Sequence, residues 1–304
     1  MSVLVALLSS VFVGLSDFTA GFVGKRVHPL TVVGGGAVVS TLLILGYGVA
    51  SQQLSFDKVD VVSGVIAGAL LLIGTFCYVV ALAQGGHMGV TSATTTLLVL
   101  VPIIFDIRNQ QMPSALTLVG IGVTIGGVIL LNVPDMKEGK SSLKPVFLAL
   151  LAALAYGVEQ VVLDTGSQDN ITGTLLTVYL FQLLLCIVIA AFARSLGGLS
   201  RNDLPLIGLI GLTGALGIAA FSWASTAGDV AVVSMLASLD PIVIVLLALF
   251  LLREKLVRIQ VIAIVVVIAG SFLVAAGGST RQRAHLVEGI SPATVSTAHT
   301  TAMA

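Results

Sequence analysis

Apolar runs of about twenty residues follow one another along almost the whole chain of 304 residues. A helix needs roughly 20 mostly apolar residues to cross the hydrocarbon core of a bilayer. Ten such runs lie at approximately 2–23, 30–50, 60–83, 88–107, 113–133, 145–164, 171–193, 203–226, 229–252 and 256–277. The sequence therefore predicts an all-α polytopic membrane protein with about ten transmembrane helices.

Composition supports a lipid environment. Charged residues make up 9% of the chain, against about 25% in a soluble domain whose surface must be wetted. Most of the outer surface must therefore contact lipid, so the first expected partner is the lipid bilayer. The net charge of zero gives no reason to expect nucleic acid binding.

An internal repeat divides the runs into two sets of five. Sliding the chain along itself by 143 residues superposes five glycine pairs: Gly14/Gly157, Gly68/Gly211, Gly74/Gly217, Gly85/Gly228 and Gly127/Gly270. Because five is odd, the second set must enter the membrane in the opposite sense to the first. We predict two inverted five-helix repeats, residues 1–134 and 144–277, followed by a disordered polar tail at 278–304.

Inverted repeats are typical of secondary transporters, whose solute site lies between the halves. The sequence therefore favours a transporter that works by alternating access. The alternatives are a membrane-embedded enzyme and a non-transporting membrane sensor or scaffold. An enzyme needs a nucleophile–base set or a metal cluster, and an ATP-driven pump needs a P-loop; the sequence contains no convincing example of either. We expect no enzyme activity, cofactor or metal.

Two recognisable motifs lie near the end of the second half and at the start of the chain. The first runs through Pro241, Glu254, Lys255, Leu256, Gln260 and Gly270, and the second comprises Gly14 to Phe18 with the basic pair Lys25-Arg26. With these motifs the chain resembles the EamA-type carriers of the drug/metabolite transporter superfamily, over roughly residues 1–277. The first half departs from the pattern, with Gln111 in place of the usual glutamate and Thr117 in place of glutamine. Pro102 stands four residues later than the repeat offset predicts.

The resemblance implies ten spans in the plasma membrane, no bound cofactor and the transport of a small metabolite or drug, often export. It also implies that both termini lie inside the cell. The loop charges instead favour both termini outside by the positive-inside rule, so the sequence leaves the orientation open. It also leaves open the solute, the coupling ion and the oligomeric state.

Three acidic residues stand out within the predicted spans: Asp17, Glu159 and Asp240. A charge at the centre of a spanning helix costs about 2.5–3.5 kcal/mol on insertion scales, so such residues face the bundle interior. The repeat offset places the doublet Ser16-Asp17 opposite Glu159-Gln160. Our hypothesis is that these doublets line one pathway and bind a cationic or amino group, or take up protons. The structural alternatives are helix pairing or capping by Asp17, and support of a helix broken at Pro241 by Asp240.

Aromatic residues provide weaker candidates. Tyr78 and Trp223 lie on equivalent predicted spans, two residues apart in register. Aromatic side chains in spans are more often packing or interfacial anchors. With them, the predicted substrate-binding residues are Asp17, Glu159, Gln160, Asp240, Tyr78 and Trp223. Tyr179 and Gln182 are further weak candidates.

Overall fold

The computed structural model describes residues 2–84, 88–108, 114–137, 143–193, 197–228, 230–252 and 258–289. Within these ranges the regular elements are all helical. The first half contains α1 (Ser2–Gly24), α2 (Pro29–Ser51), α3 (Lys58–Ala83), α4 (Met88–Thr95), α5 (Leu100–Arg108) and α6 (Ala115–Lys137). The second half contains α7 (Leu143–Ser167), α8 (Ile171–Ala193), α9 (Leu204–Thr226), α10 (Val230–Ala237), α11 (Asp240–Leu247) and α12 (Arg258–Gly289).

Six of these helices are long and apolar enough to cross a membrane: α1, α2, α3, α7, α8 and α9. Four shorter apolar stretches lie at Val90–Phe105, Ala115–Leu130, Asp240–Leu251 and Val261–Val274. Along the described chain, three long apolar helices are followed by two short apolar stretches, and this order is then repeated once. The protein is thus an all-helical, multi-pass membrane protein.

The fourth and ninth apolar runs are both interrupted. Between α4 and α5 the backbone tightens into a 3₁₀ turn at Thr96–Val99. The Thr95 hydroxyl donates to the Ser92 carbonyl oxygen at 2.7 Å, which satisfies a backbone acceptor beside this irregular segment. Between α10 and α11 the helix breaks before Asp240, and Pro241 occupies the first turn of α11. Proline suits a first turn because it has no N–H to donate to a preceding turn.

The last helix differs from its predicted extent. We expected disorder from residue 278, whereas α12 continues to Gly289. Arg, Gln, Ala, Leu and Glu after residue 280 favour a helix even though they are too polar for a span, and a glycine is a common helix end. Residues 290–304 lie outside the described residues.

The two halves pack against each other through glycines. A Cβ atom on Gly74 would lie 2.6 Å from Tyr156 Cε1, and one on Gly217 would lie 2.7 Å from Val13 Cγ2. Tyr156 and Val13 are themselves 143 positions apart. In the same way Gly127 lies against Val267, and its counterpart Gly270 lies against Thr124, the counterpart of Val267. Such small residues let helix backbones approach closely.

Two further glycine pairs make near-equivalent contacts. A Cβ on Gly14 would meet the Asp240 carbonyl oxygen at 2.9 Å, and one on Gly157 would meet the Leu98 carbonyl oxygen at 2.5 Å. Gly68 lies against the Val178 carbonyl, and Gly211 against that of Gly36. In each pair the two contacted residues are separated in sequence by 143 residues to within one.

Loops of the two halves also meet at both ends of α2. At its start, Arg26 forms an ion pair with Asp203, with Nη2 2.6 Å from Oδ1, and His28 N–H donates to the Gly197 carbonyl at 3.2 Å. At its end, the Asn170 amide donates to the Ser55 carbonyl at 2.9 Å. The halves are therefore tied together at opposite ends of the helix bundle.

Candidate solute-binding site

A cavity of about 120 Å³ lies between the two halves. Its walls come from α1, α2, α3 and the α4–α5 segment of the first half, and from α7, α8, α9 and the α10–α11 segment of the second. Helices α6 and α12 contribute no lining residue among those described; they pack against each other. The polar lining residues are Ser9, Ser16, Asp17, Ser40, Thr75, Thr95, Tyr156, Glu159, Gln160, Tyr179, Gln182 and Asp240.

All charged side chains in the described lining are acidic: Asp17, Glu159 and Asp240. Glu159 is 4% exposed and Asp240 is 7% exposed, whereas Asp17 is half-buried. Gly14 allows α1 to contact the backbone of α11 at Asp240, and Asp17 follows one turn later on α1. Tyr156 lines the same cavity as the three carboxyl groups.

Glu159 carries a buried polar atom that the protein leaves unsatisfied. Among the described residues, no hydrogen-bond donor reaches its Oε1 atom, and the same holds for Oε1 of Gln160. Buried polar atoms in native proteins nearly always have a partner, since leaving one without costs about 1–3 kcal/mol. Two adjacent unsatisfied acceptors at a cavity wall indicate a place where a donor from outside the chain can bind.

Serine hydroxyls hold the cavity wall together. Ser9, Ser16 and Ser40 of the first half donate to the carbonyl oxygens of Gly217, Ile210 and Gly211 in α9, at 2.7, 3.0 and 2.9 Å. Hydrogen bonds of this kind between membrane helices contribute about 0.6 kcal/mol each on average. Together they fix α9 against α1 and α2 beside the carboxyl groups.

Tyr156 also connects the two halves at the cavity wall. Its hydroxyl donates to Thr75 Oγ1 at 3.2 Å, and its ring lies against Gly74. Both contacts join α7 to α3. The phenol group is thereby fixed at the cavity surface, close to the carboxyl groups.

The structure brings four of the six predicted site residues together at the cavity: Asp17, Glu159, Gln160 and Asp240. The weaker candidates Tyr179 and Gln182 also line it.

Tyr78 and Trp223 do not line the cavity. Tyr78 lies in an apolar cluster with Phe18, Val23 and Leu82. Trp223 is 43% exposed on the outer surface of α9, because Phe221 takes the cavity-facing position. Two residues further along a helix is a rotation of about 200°, which turns the tryptophan away.

Sequence reasoning missed Ser40 and Thr75. Lone hydroxyl residues are common in membrane helices, where they bond to the preceding turn, so no local signal distinguishes them. The repeat offset offers one clue: Thr75 is the counterpart of Ile218, and both line the cavity. As for metals, no group of three or more His, Cys, Asp or Glu side chains within the described ranges could hold an ion.

Residues 143–276 match the model of the EamA-like transporter family. This family is part of the drug/metabolite transporter superfamily, in agreement with the predicted resemblance. The EamA-like half supplies Tyr156, Glu159, Gln160, Tyr179 and Asp240 to the cavity.

The whole chain also resembles solved structures. A crystal structure of a protein with 16% sequence identity superposes with a TM-score of 0.69, covering 91% of this chain and 98% of the other. At that identity the likeness concerns the fold alone, and it extends from the EamA-like half into the first half. No curated protein matches the chain in sequence.

Proposed function

We propose that this chain is a secondary transporter, which moves a small metabolite or drug-like solute across the cytoplasmic membrane in the direction of export. The observation that carries the proposal is a cavity bounded by both halves, with three carboxyl groups and two unsatisfied acceptors at its surface. Such a central site between halves is the arrangement that alternating access requires. The EamA-like half supports the same function.

The proposal includes ten spans in two inverted repeats, residues 1–134 and 144–277. The order of long and short apolar helices, repeated once along the chain, supports two copies. The paired glycine contacts support a two-fold relation between them, since Gly74 meets Tyr156 where Gly217 meets Val13. Each copy then has five spans, so the copies are inverted in the membrane.

Opening and closing would take place at the two loop contacts. The Arg26–Asp203 ion pair joins loop 25–28 to loop 197–203, and the Asn170–Ser55 hydrogen bond joins loop 168–170 to loop 52–57. The repeat offset relates these two contacts approximately, and they lie at opposite ends of α2. In alternating access one contact opens while the other stays closed, and the cavity becomes accessible from each side in turn.

The carboxyl groups also provide a means of coupling. Asp17 and Glu159 can release protons when a solute binds and take them up when it leaves, so we propose proton coupling as the energy source. Intramembrane acidic residues that face a bundle interior mark such relays in many pumps and transporters.

Reconstitution of the full chain into liposomes tests transport directly. The liposomes are incubated with a defined mixture of amino acids, nucleosides, sugars and benzylamine, and their contents are measured by mass spectrometry. We expect at least one component to enter faster than into protein-free liposomes. Chemical conversion of a component without net entry would instead identify a membrane-embedded enzyme, and neither entry nor conversion would favour a sensor or scaffold.

A further inference from the structure

We infer that the solute is a compact organic amine, whose ammonium group binds between Glu159 and Asp17 while its apolar part packs against the cavity wall. This assignment rests on the proposed transport function and names the chemical class of its solute. It excludes anions, sugars and zwitterions as preferred solutes.

Charge is the first argument. The described lining contains three carboxyl groups and no lysine, arginine or histidine. A buried carboxylate is stable only when it is paired or hydrogen-bonded. A cation supplies that pairing, whereas an anionic solute would meet three like charges. A zwitterion would lack a cationic partner for its own carboxylate.

Glu159 identifies where the ammonium group binds. The residue is only 4% exposed, and it lines the cavity. Among the described residues, no donor reaches its Oε1 atom. An ammonium group offers three N–H donors and no acceptor. It can therefore satisfy Glu159 Oε1 and still donate to further acceptors of the cavity wall, which a solute with a single donor cannot do.

The rest of the lining favours an organic cation over a metal ion. Most of the wall is apolar, including Leu71, Leu98, Ile218 and Phe221. No group of three acidic, His or Cys side chains in the described chain could hold a metal ion. Aromatic faces such as Phe221 also attract ammonium groups. An amine with a small apolar body uses all of these features, whereas a bare ion uses only the charges.

Cavity size limits the solute. A cavity of about 150 Å³ in another protein accommodates one benzene molecule, and the volume here is about 120 Å³. Benzylamine is therefore a suitable probe, because it combines one small ring with a single ammonium group. Benzyl alcohol and benzoate are matched controls with the same ring and a neutral or an anionic group.

Binding to the purified full chain in detergent tests the inference by isothermal titration calorimetry. We expect benzylamine to bind, and benzyl alcohol and benzoate to bind at least about tenfold more weakly. Glu159→Gln should weaken benzylamine binding by about 30-fold or more, since truncation of a buried charge pair has an effect of that size. Asp169→Asn is the matched control, because Asp169 is exposed in the α7–α8 loop and should leave affinity unchanged.

A second variant guards against misfolding of the first. Asp17→Asn removes the other proposed contact, at a half-buried position. It too should weaken the binding of benzylamine and leave the binding of benzyl alcohol unchanged. Equal binding of all three probes, tighter binding of benzoate, no binding of benzylamine, or unchanged affinity in both variants would overturn the assignment. Transport itself is tested separately: benzylamine binding with no solute entering liposomes would contradict the transporter and leave the amine site standing.

Discussion

The ring of Tyr156 in α7 lies against Gly74 of α3, at the place where a Cβ on residue 74 would stand 2.6 Å from Cε1. The neighbouring Thr75 accepts a hydrogen bond from the Tyr156 hydroxyl. Ring and hydroxyl thus have separate roles: the ring fills the space between the halves, and the hydroxyl lies near the three carboxyl groups of the cavity.

Tyr156→Phe separates these roles. The ring contact with Gly74 remains and only the hydrogen bond to Thr75 is lost, so the free energy of unfolding should fall by no more than about 0.5–1.5 kcal/mol. Benzylamine affinity should fall by about 2- to 10-fold, because the Tyr156 hydroxyl oxygen lines the cavity and can accept a hydrogen bond from the ammonium group, and one such bond contributes about 0.5–1.5 kcal/mol. Calorimetric titration and thermal unfolding measure the two effects. Tyr47→Phe, on an exposed tyrosine of α2, is the control and should change neither quantity; a loss of stability without a loss of affinity at Tyr156 would contradict the site.

Gly211→Ala should destabilise the interface between α9 and α2. A Cβ there would lie 2.6 Å from the Gly36 carbonyl oxygen, which belongs to a helix backbone and cannot move aside alone. We expect a loss of about 1–3 kcal/mol, the usual cost of overpacking. Gly208→Ala, one turn earlier on the same helix, meets no atom within 4 Å and should be neutral or slightly stabilising by helix propensity. Equal unfolding temperatures for the two variants would show that the close contact is absent.

The two residues of the Arg26–Asp203 ion pair contribute unequally to the stability of the fold. Asp203 accepts from Arg26 and also from the Ser200 backbone N–H at 3.1 Å, just before α9 begins. Arg26 is 47% exposed and stacks over Phe22, with Cζ 4.8 Å from the ring centroid. Arg26→Ala should therefore cost at most about 1 kcal/mol, as exposed ion pairs do. Asp203→Ala should lower the unfolding temperature further, and the reverse order would rule out a capping role for Asp203.

Most of the helices could be predicted from the sequence, because span length follows directly from bilayer thickness. The run predicted at 171–193 coincides with α8, and the run at 30–50 differs from α2 by one residue at each end. The breaks before Leu100 and Asp240 could not be predicted with certainty, since apolar composition is the same on both sides of each break. At Asp240 the following proline was the available signal.

The sequence predicted those site residues whose burial in a membrane has a high energetic cost. It missed those whose burial has a low cost. Asp17, Glu159 and Asp240 are expensive in lipid, so the sequence alone indicates an interior position, and the structure places all three at one cavity. Hydroxyls such as Thr75 satisfy themselves locally, so only the packing of α3 against α7 reveals their place. Whether an aromatic candidate faces the cavity depends on the rotation of its helix about its own axis. For Trp223 that rotation places the side chain on the outer surface.

Proton coupling predicts a specific pattern in liposomes. An imposed pH gradient should accelerate benzylamine flux by the unmodified chain, and Asp17→Asn or Glu159→Gln should abolish that acceleration, because an amide cannot carry the proton. The Asp169→Asn control should keep it. Gradient dependence that persists in both amide variants would remove these two residues as proton carriers.

Inversion of the two halves is the central claim, and site-specific labelling tests it most directly. The background carries Cys77→Ala and Cys186→Ala, which remove the two buried cysteines. Lys25→Cys and Gln168→Cys are then introduced singly; both positions are exposed, and they are repeat counterparts at the ends of α1 and α7. In intact cells a membrane-impermeant maleimide should label one of them and spare the other, with Gln53→Cys behaving like Gln168→Cys. Labelling of positions 25 and 168 from the same side of the membrane would contradict the inverted arrangement.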